Sequence, residues 1–219
     1  MSATIKVFTD GSSLTNPGPA GWAVVISPVD EVFISDSTKF FTGGFPVATN
    51  NIAELTAVLE ALRWLNDNGH RGVTIYSDSK YAVDGSNSWV HNWIKTNWKG
   101  GTIKNIGIWK EIYHLYCLNG KPLEWIKGHS VCPFNNFADS LAGKAANAFK
   151  EQQIAKYNRV GLGDSVVTWI EGERQPIVTR FKLLQIYPTN RTIVLQNLNG
   201  GKNLIMSDKE FNLRKFILL

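Results

Sequence analysis

Four carboxylates occupy positions from which they could hold a divalent cation together. Asp10 ends the apolar run TIKVFTD and Asp78 ends a second such run in YSDSKY, while Glu54 and Asp139 fall in helix-like segments. An ionised carboxylate beside a hydrophobic core is costly unless another group compensates its charge, and carboxylates brought together repel one another. Because Mg²⁺ prefers carboxylate and water oxygens, the pattern predicts a metal site. The alternative is that Glu54 caps its helix and the aspartates are solvated in loops.

The apolar periodicity indicates which elements would bring these acids together. Three strands come first and strands separated by helices follow, which is typical of an α/β fold with a five-stranded mixed sheet flanked by helices. The ends of central strands and the starts of flanking helices converge on one crevice in such a sheet, and Glu54 is expected in the first turn of the long helix. The buried face of that helix is predicted to comprise Leu55, Val58, Leu59, Leu62 and Leu65. The predicted strands are 4–9, 22–26, 31–41, 72–79 and 122–130, with a tight turn at 28–30, and the predicted helices are 49–69, 80–85, 87–98, 107–120 and 135–150.

The sequence pattern changes after about residue 155, where segments of helical periodicity are followed by short β-type segments separated by turns. This pattern predicts a small β-rich module, SH3-like or a small barrel, and we expect domains at 1–150 and 151–219. Residues 151–219 carry 10 Lys or Arg against 6 acids, a net charge of +4, whereas residues 1–150 carry 13 against 12. The module could therefore bind nucleic acid, but it could equally bind a protein partner or brace the core.

Composition narrows the class of protein. The chain has 219 residues, of which 43% are hydrophobic and 19% charged, so an ordinary globular core is expected and disorder is not. The net charge of +5 permits a nucleic-acid partner without demonstrating one. Cys117 and Cys132 lack metal-ligand spacing and are interpreted as free thiols in a reducing compartment, a disulfide between them being the alternative. No leader segment or membrane-length apolar run is present, so we expect a soluble, cytoplasmic protein without a membrane partner. A monomer is expected as well.

Several motifs together resemble bacterial-type ribonuclease HI, collinearly over residues 4–149. They are FTDGSSLTNPGPAGWAVVI, TNNIAELTAVLEAL, YSDSKY, WVHNWIKTNWKGGTIKNIGIWKEI and WIKGHSVCPFNNFADSLAGKAA. The resemblance implies an RNase H-like fold and an endonuclease that cuts the RNA strand of RNA–DNA hybrids with two Mg²⁺ ions, Mn²⁺ being an alternative. It implies products with 5′-phosphate and 3′-hydroxyl ends, and a role in primer or R-loop removal.

The same resemblance assigns roles to individual residues of the site. The metal-binding acids map onto Asp10, Glu54, Asp78 and Asp139, with Asp10 as the expected bridging ligand. His129 corresponds to a mobile histidine that assists proton transfer or product release and is not a metal ligand.

Residues that would contact the hybrid also follow from the resemblance. Lys80 stands where the family often has Gln, which makes the expected contact more electrostatic, and Asp84 stands where a neutral polar residue is common. Thr49 and Asn105 align with a pocket for a DNA phosphate, and Asn135 is a further expected contact. The minor-groove residues are Gly11, Ser13, Asn16, Asn50 and Asn51, although Asn16 and Asn50 could instead serve as turn and helix-capping residues.

The segment 89–109 resembles the basic protrusion with which the family grips the DNA strand. Lysines supply phosphate contacts, and an exposed Trp supplies a platform for a base or sugar. We assign these contacts to Trp98, Lys99 and Lys104, and we expect Trp89 and Trp109 to pack between helices.

Two other functions fit the same fold. The chain could be a hybrid-binding protein with weak or lost catalysis, or the RNase H domain of a reverse transcriptase. The four intact acids and His129 favour an enzyme, and the Met immediately before the first strand favours a free-standing one.

Overall fold

A computed structural model of the chain describes residues 4–128, 131–157, 165–168, 179–187, 192–197, 204–207 and 217–218. The chain divides into two compact units, Met1–Lys150 and Glu151–Leu219.

The first unit is built on a five-stranded mixed sheet with the order β3-β2-β1-β4-β5. Strands β1, β2 and β3 pair antiparallel, whereas β4 runs parallel to β1 and β5 runs parallel to β4. The predicted mixed sheet is therefore confirmed. The strands are β1 Ile5–Ser13, β2 Gly18–Pro28, β3 Lys39–Ala48, β4 Thr74–Ser77 and β5 Glu124–Trp125.

Helix α1, Asn50–Asp67, is the central helix of the unit. The Thr49 hydroxyl accepts a hydrogen bond from the Ile52 N–H at 3.2 Å, which caps its start. All five apolar residues predicted for its buried face are at most 4% exposed, so that prediction is confirmed. The other helical segments are α2 Lys80–Asp84, a π-helical turn Gly85–Trp89, α3 Val90–Lys95, α4 Asn97–Gly101, α5 Ile106–Asn119 and α6 Pro133–Tyr157.

The third strand differs from its prediction at 31–41, because β3 begins only at Lys39. Serine side chains hold the preceding segment in turns. The Ser35 hydroxyl donates to a Glu31 carboxylate oxygen at 2.7 Å, and the Thr38 hydroxyl accepts from the Ser35 N–H at 3.1 Å. Such local bonds compete with strand pairing, so the apolar residues Val32 and Phe33 remain exposed instead of entering the sheet.

Other boundaries also differ from the sequence prediction. The two helices predicted at 80–85 and 87–98 form one helical path through the π-helical turn. That path ends near residue 96, because Asn97, Trp98 and Lys99 all have positive φ angles. Strand β5 has only two residues, and α6 continues to Tyr157, seven residues beyond its predicted end.

The second unit contains one antiparallel sheet with the order β10-β6-β7-β8-β9. Whether this sheet closes as a barrel or is SH3-like stays a prediction, because the segments that join its strands lie outside the described residues. The strands are β6 Ser165–Thr168, β7 Thr179–Tyr187, β8 Thr192–Asn197, β9 Leu204–Ser207 and β10 Ile217–Leu218.

Candidate metal centre

Three carboxylates meet at one edge of the sheet. One oxygen from each of Asp10, Glu54 and Asp78 lies within 4.8 Å of the other two. Asp10 lies inside β1, just beyond the last parallel pair that β1 makes with β4, Thr9 with Ser77. Asp78 directly follows β4, so the parallel pairing brings these two acids to the same edge. Glu54 arrives from α1, where it lies in the second turn and not in the predicted first turn.

A glycine allows α1 to approach this edge. A Cβ atom added to Gly11 would lie 2.2 Å from the Glu54 backbone nitrogen and 2.4 Å from the Ala53 carbonyl carbon. Because real Cβ atoms do not approach backbone so closely, only glycine lets β1 contact α1 at this point. This contact holds Glu54 beside Asp10.

Asp139, on α6, is half-buried and lies near the other acids. Its negative charge contributes to raising the pKa of both Asp10 and Glu54. Helix α6 approaches β2 at Gly21, where an added Cβ atom would lie 2.3 Å from the Ala142 carbonyl oxygen. Among the described residues, the acids whose oxygens all lie within 4.8 Å of one another are Asp10, Glu54 and Asp78, and Asp139 is not one of them.

The electrostatics of the centre favour a cation. Burial, together with the negative charges of Asp78 and Asp139, raises the pKa of Asp10 from 3.8 to about 8. Burial and the charge of Asp10 likewise raise the pKa of Glu54 well above its usual range. One Glu54 carboxylate oxygen, Oε2, is buried and accepts no hydrogen bond from the described residues. Closely spaced, largely buried carboxylates, one of which has an oxygen without a hydrogen bond from the described residues, form a donor set that suits a divalent cation.

Asn135 is hydrogen-bonded to one of these acids. It is fully buried, and its side-chain nitrogen donates to the Asp78 Oδ2 atom at 3.2 Å. The structure therefore shows a buried contact of Asn135 with Asp78, and the expected contact of Asn135 with substrate stays a prediction. A Cβ atom at Gly128 would lie 2.7 Å from the same Asp78 oxygen, so the loop after β5 passes directly beside the carboxylate.

The predicted minor-groove residues surround the start of α1. The Asn16 side-chain oxygen accepts a hydrogen bond from the Asn50 N–H at 3.0 Å, so the capping interpretation of Asn16 is confirmed. Asn16 and Asn51 are exposed, and Ser13 is half-buried at the end of β1. Ser13 thus lies on the strand that carries Asp10 and Asn51 on the helix that carries Glu54, while Asn16 lies in the loop after β1.

The protrusion is held together by aromatic contacts. Trp109 is fully buried, as predicted, and its indole nitrogen donates to the Tyr81 hydroxyl at 3.2 Å. Trp98 is only 8% exposed, whereas Trp89 is 40% exposed, which is the reverse of the exposure that their predicted roles require. Trp98 is buried at a point where residues 97–99 all have a left-handed backbone conformation. The lysines are exposed, namely Lys95, Lys99, Lys104 and Lys110.

His129 and Ser130 lie outside the described residues, so the predicted position of the histidine stays a prediction. Asn105 has a left-handed backbone immediately before α5 and is half-buried.

One residue beside the centre was missed by the sequence reasoning. Trp125, in β5, donates its indole N–H to the Asp78 backbone carbonyl at 3.0 Å, and the Lys80 ammonium lies 4.9 Å from the centroid of its ring. The available signal was an aromatic residue three positions before Gly128 in a run that leads to the predicted site.

Comparison with known proteins agrees with this geometry. The RNase H family model matches residues 2–147. Ribonuclease HI of Rickettsia prowazekii is 38% identical over 145 residues, covering 65% of this chain and 90% of the relative. Ribonuclease H of Alcanivorax borkumensis is 35% identical over 152 residues, covering 68% of this chain and 95% of the relative.

Solved structures are similar over the same part of the chain. The crystal structure of LC9-RNase H1, described as a type 1 RNase H with the type 2 active-site motif, is 30% identical with a TM-score of 0.59, and the match covers 68% of this chain and 74% of that one. The solution structure of the PFV RNase H domain shares the fold at 22% identity and a TM-score of 0.57, over 68% of this chain and 97% of that one.

The fold and the acidic centre are those of a metal-dependent nuclease class. The chain belongs to the RNase H family and is a hydrolase of the ribonuclease H type. Among the helices of the described residues, none combines the length and apolarity that crossing a membrane requires.

Proposed function

We propose that the chain is an endonuclease that hydrolyses the RNA strand of RNA–DNA hybrids by two-metal-ion catalysis, leaving 5′-phosphate and 3′-hydroxyl ends. The convergence of Asp10, Glu54 and Asp78 within 4.8 Å carries the proposal, because Asp10 and Glu54 are buried, Asp78 is half-buried, and the ion pairs found among the described residues involve none of the three. Membership of the RNase H family supports the choice of substrate.

Asp10, Glu54, Asp78 and Asp139 are the residues that would hold the ions, with Asp10 between the others. Magnesium is the proposed metal and manganese the alternative, because the donor set consists of carboxylate oxygens. When bound, two such cations lower the pKa of the attacking water and stabilise the charge on the leaving 3′ oxygen.

The protein's own groups fix the geometry of the site. Asn135 holds the Asp78 carboxylate through the 3.2 Å hydrogen bond, and the Gly11 contact fixes the distance between β1 and α1. The imidazole of His129 is proposed to carry a proton between solvent and the reacting water or leaving group. Such general acid–base catalysis increases the reaction rate roughly 10²–10⁴-fold.

The hybrid would lie across the start of α1. Ser13, Asn16, Asn50 and Asn51 offer small polar groups suited to the shallow minor groove and its 2′-hydroxyls. The exposed lysines of the protrusion would bind phosphates of the DNA strand. Given its exposure, Trp89 is better placed than Trp98 to offer a ring face to that strand.

Residues 1–150 are proposed as the catalytic domain and 151–219 as an accessory domain. The RNase H family match ends at residue 147, before the second unit begins. The net charge of +4 in residues 151–219 supports a role in holding nucleic acid, with a protein partner as the alternative.

A cleavage assay tests this function. End-labelled hybrid, duplex RNA and duplex DNA are each incubated with the full chain in Mg²⁺, and with the variants Asp10→Asn and His129→Ala. We expect cleavage of the hybrid RNA strand alone, a loss of several orders of magnitude in Asp10→Asn, and a milder loss in His129→Ala with hybrid affinity unchanged.

The exposed turn residue Asp30 provides a matched control, because Asp30→Asn removes the same charge far from the centre. Near-wild-type turnover of Asp10→Asn would refute the assignment of the centre, and equal cleavage of duplex RNA would refute the assigned substrate. Loss of metal affinity in His129→Ala would make this residue a ligand.

A further inference from the structure

The Trp125 indole is fixed at the rim of the acidic centre. Its side chain lies on β5 and is 46% exposed. The indole N–H donates to the Asp78 carbonyl at 3.0 Å, and the next residue, Ile126, donates its N–H to the Ser77 carbonyl at 3.0 Å. The orientation of the ring is thus tied to the backbone of the strand end that carries Asp78. A large, half-exposed aromatic side chain therefore lies beside Asp78.

The Lys80 ammonium lies over this ring, with its nitrogen 4.9 Å from the ring centroid. Lys80 is the first residue of α2 and follows Asp78 by two positions. The ion pairs found among the described residues involve Arg63 and not Lys80. The Lys80 charge is therefore stabilised by the indole face, while its other side remains open to solvent.

We propose that Trp125 is a positioning residue that holds the Lys80 ammonium at the rim of the centre, where it binds a phosphate of the nucleic acid. An unrestrained lysine loses side-chain entropy when it binds, and a lysine already resting on an indole loses less. Because an ammonium recognises the phosphate charge and not the base, the contact is independent of sequence and sensitive to salt. The inference rests on the proposed function, since it requires nucleic acid to lie across this centre.

A double-mutant cycle on the full chain tests the coupling of the two residues. Affinity for a labelled RNA–DNA hybrid is measured by fluorescence anisotropy in EDTA, where cleavage does not interfere, for the wild type, Trp125→Leu, Lys80→Gln and the double variant. An exposed cation–π contact predicts that Trp125→Leu weakens binding about two- to fivefold. In the Lys80→Gln background the same substitution should have no effect, and Lys80→Gln should make the slope of log affinity against log salt shallower by about 1.

Trp125→Phe separates the ring from its hydrogen bond to the Asp78 carbonyl. The Phe variant keeps an aromatic face but loses the indole N–H, so it should retain more affinity than Trp125→Leu. In Mg²⁺, the effect of Trp125→Leu should be seen in KM rather than in kcat. Circular dichroism and thermal melting of each variant verify that it is folded.

An equal loss from Trp125→Leu in both backgrounds would overturn the proposal, since the indole would then act without Lys80, for example by stacking on a base itself. A fall in kcat at constant KM would also overturn it, because Trp125 would then act through Asp78. These outcomes differ from failure of the proposed function, in which the wild type does not cleave the hybrid although the binding cycle in EDTA can still be read.

Discussion

Replacing Asp10 by Asn should stabilise the metal-free protein in a pH-dependent way. The pKa of Asp10 is raised from 3.8 to about 8 in the folded protein, so folding favours the protonated carboxyl. A raised carboxyl pKa means that the stability contributed by this group is fully present below pH 3.8 and is lost as the pH rises towards 8. Asn has the shape of the protonated carboxyl but does not ionise, so the variant does not incur the free-energy cost of ionising a buried group as the pH rises.

The magnitude follows from linkage. Each pH unit between the two pKa values costs about 1.4 kcal/mol, so the penalty in the wild type reaches up to about 4 kcal/mol at pH 7. Removing the Asp10 charge also lowers the cost of ionising Glu54, whose raised pKa depends partly on that charge. For a protein of this size, 1 kcal/mol corresponds to a shift of roughly 2–4 °C in Tm.

Urea unfolding in EDTA, followed by tryptophan fluorescence, provides the measurement. Seven of the eight tryptophans belong to residues 1–150, so the signal reports mainly on the first unit. The free energy of unfolding is compared for the wild type, Asp10→Asn and the exposed control Asp30→Asn at pH 5, 6 and 7. The gain in Asp10→Asn should grow by about 1.4 kcal/mol per pH unit, while Asp30→Asn should follow the wild type.

A gain that is the same at every pH would refute the reasoning, because the stabilisation would then come from packing and not from the carboxylate charge. The absence of any gain would show that Asp10 is not buried among other acids. Saturating Mg²⁺ should reduce the advantage of Asp10→Asn, since the cation stabilises the wild type selectively.

Two further changes test the architecture around the centre. Gly11→Ala should lower kcat steeply and destabilise the fold, because the added Cβ would lie 2.2 Å from the Glu54 nitrogen; a neutral effect in cleavage and melting assays would show that β1 and α1 can separate freely. A chain truncated after Tyr157 keeps all of α6 and should fold and cleave hybrids, but with weaker binding and a shallower salt slope, because net positive charge is lost with the second unit. Failure of the truncated chain to fold would place the domain boundary elsewhere, and an unchanged slope would show that the second unit does not contact nucleic acid.

Patterns with a strong period or a fixed motif allowed the most secure sequence predictions. The buried face of α1 follows from apolar residues at helical spacing, and the meeting of Asp10 with Asp78 follows from the parallel pairing of β1 with β4, whose last pair directly precedes both acids. These features depend on backbone regularity, which the sequence encodes locally.

Features that depend on competing local bonds or on distant contacts were not predictable. Val32 and Phe33 look like strand residues, but serine bonds to Glu31 hold their segment outside the sheet. The exposure of Trp89 and the burial of Trp98 depend on the left-handed turn at 97–101. Trp98 and Lys99, which precede the two glycines of this turn, are not of types that predict a left-handed backbone. The Trp125 contact joins residues 47 positions apart, beyond any local pattern.

The close contacts at Gly11, Gly21 and Gly128 affect how the activity of natural variants of this chain can be inferred from their sequences. Glu54 is positioned by a contact at Gly11, Asp139 arrives on a helix that touches β2 at Gly21, and Asp78 lies against Gly128. A single added methyl group at one of these glycines would shift a carboxylate without altering any acid. A homologue that retains every acid but has gained a side chain at these positions would pass a motif search and still be inactive. Inspection of the three glycines is therefore a necessary part of inferring activity from inherited sequence variation.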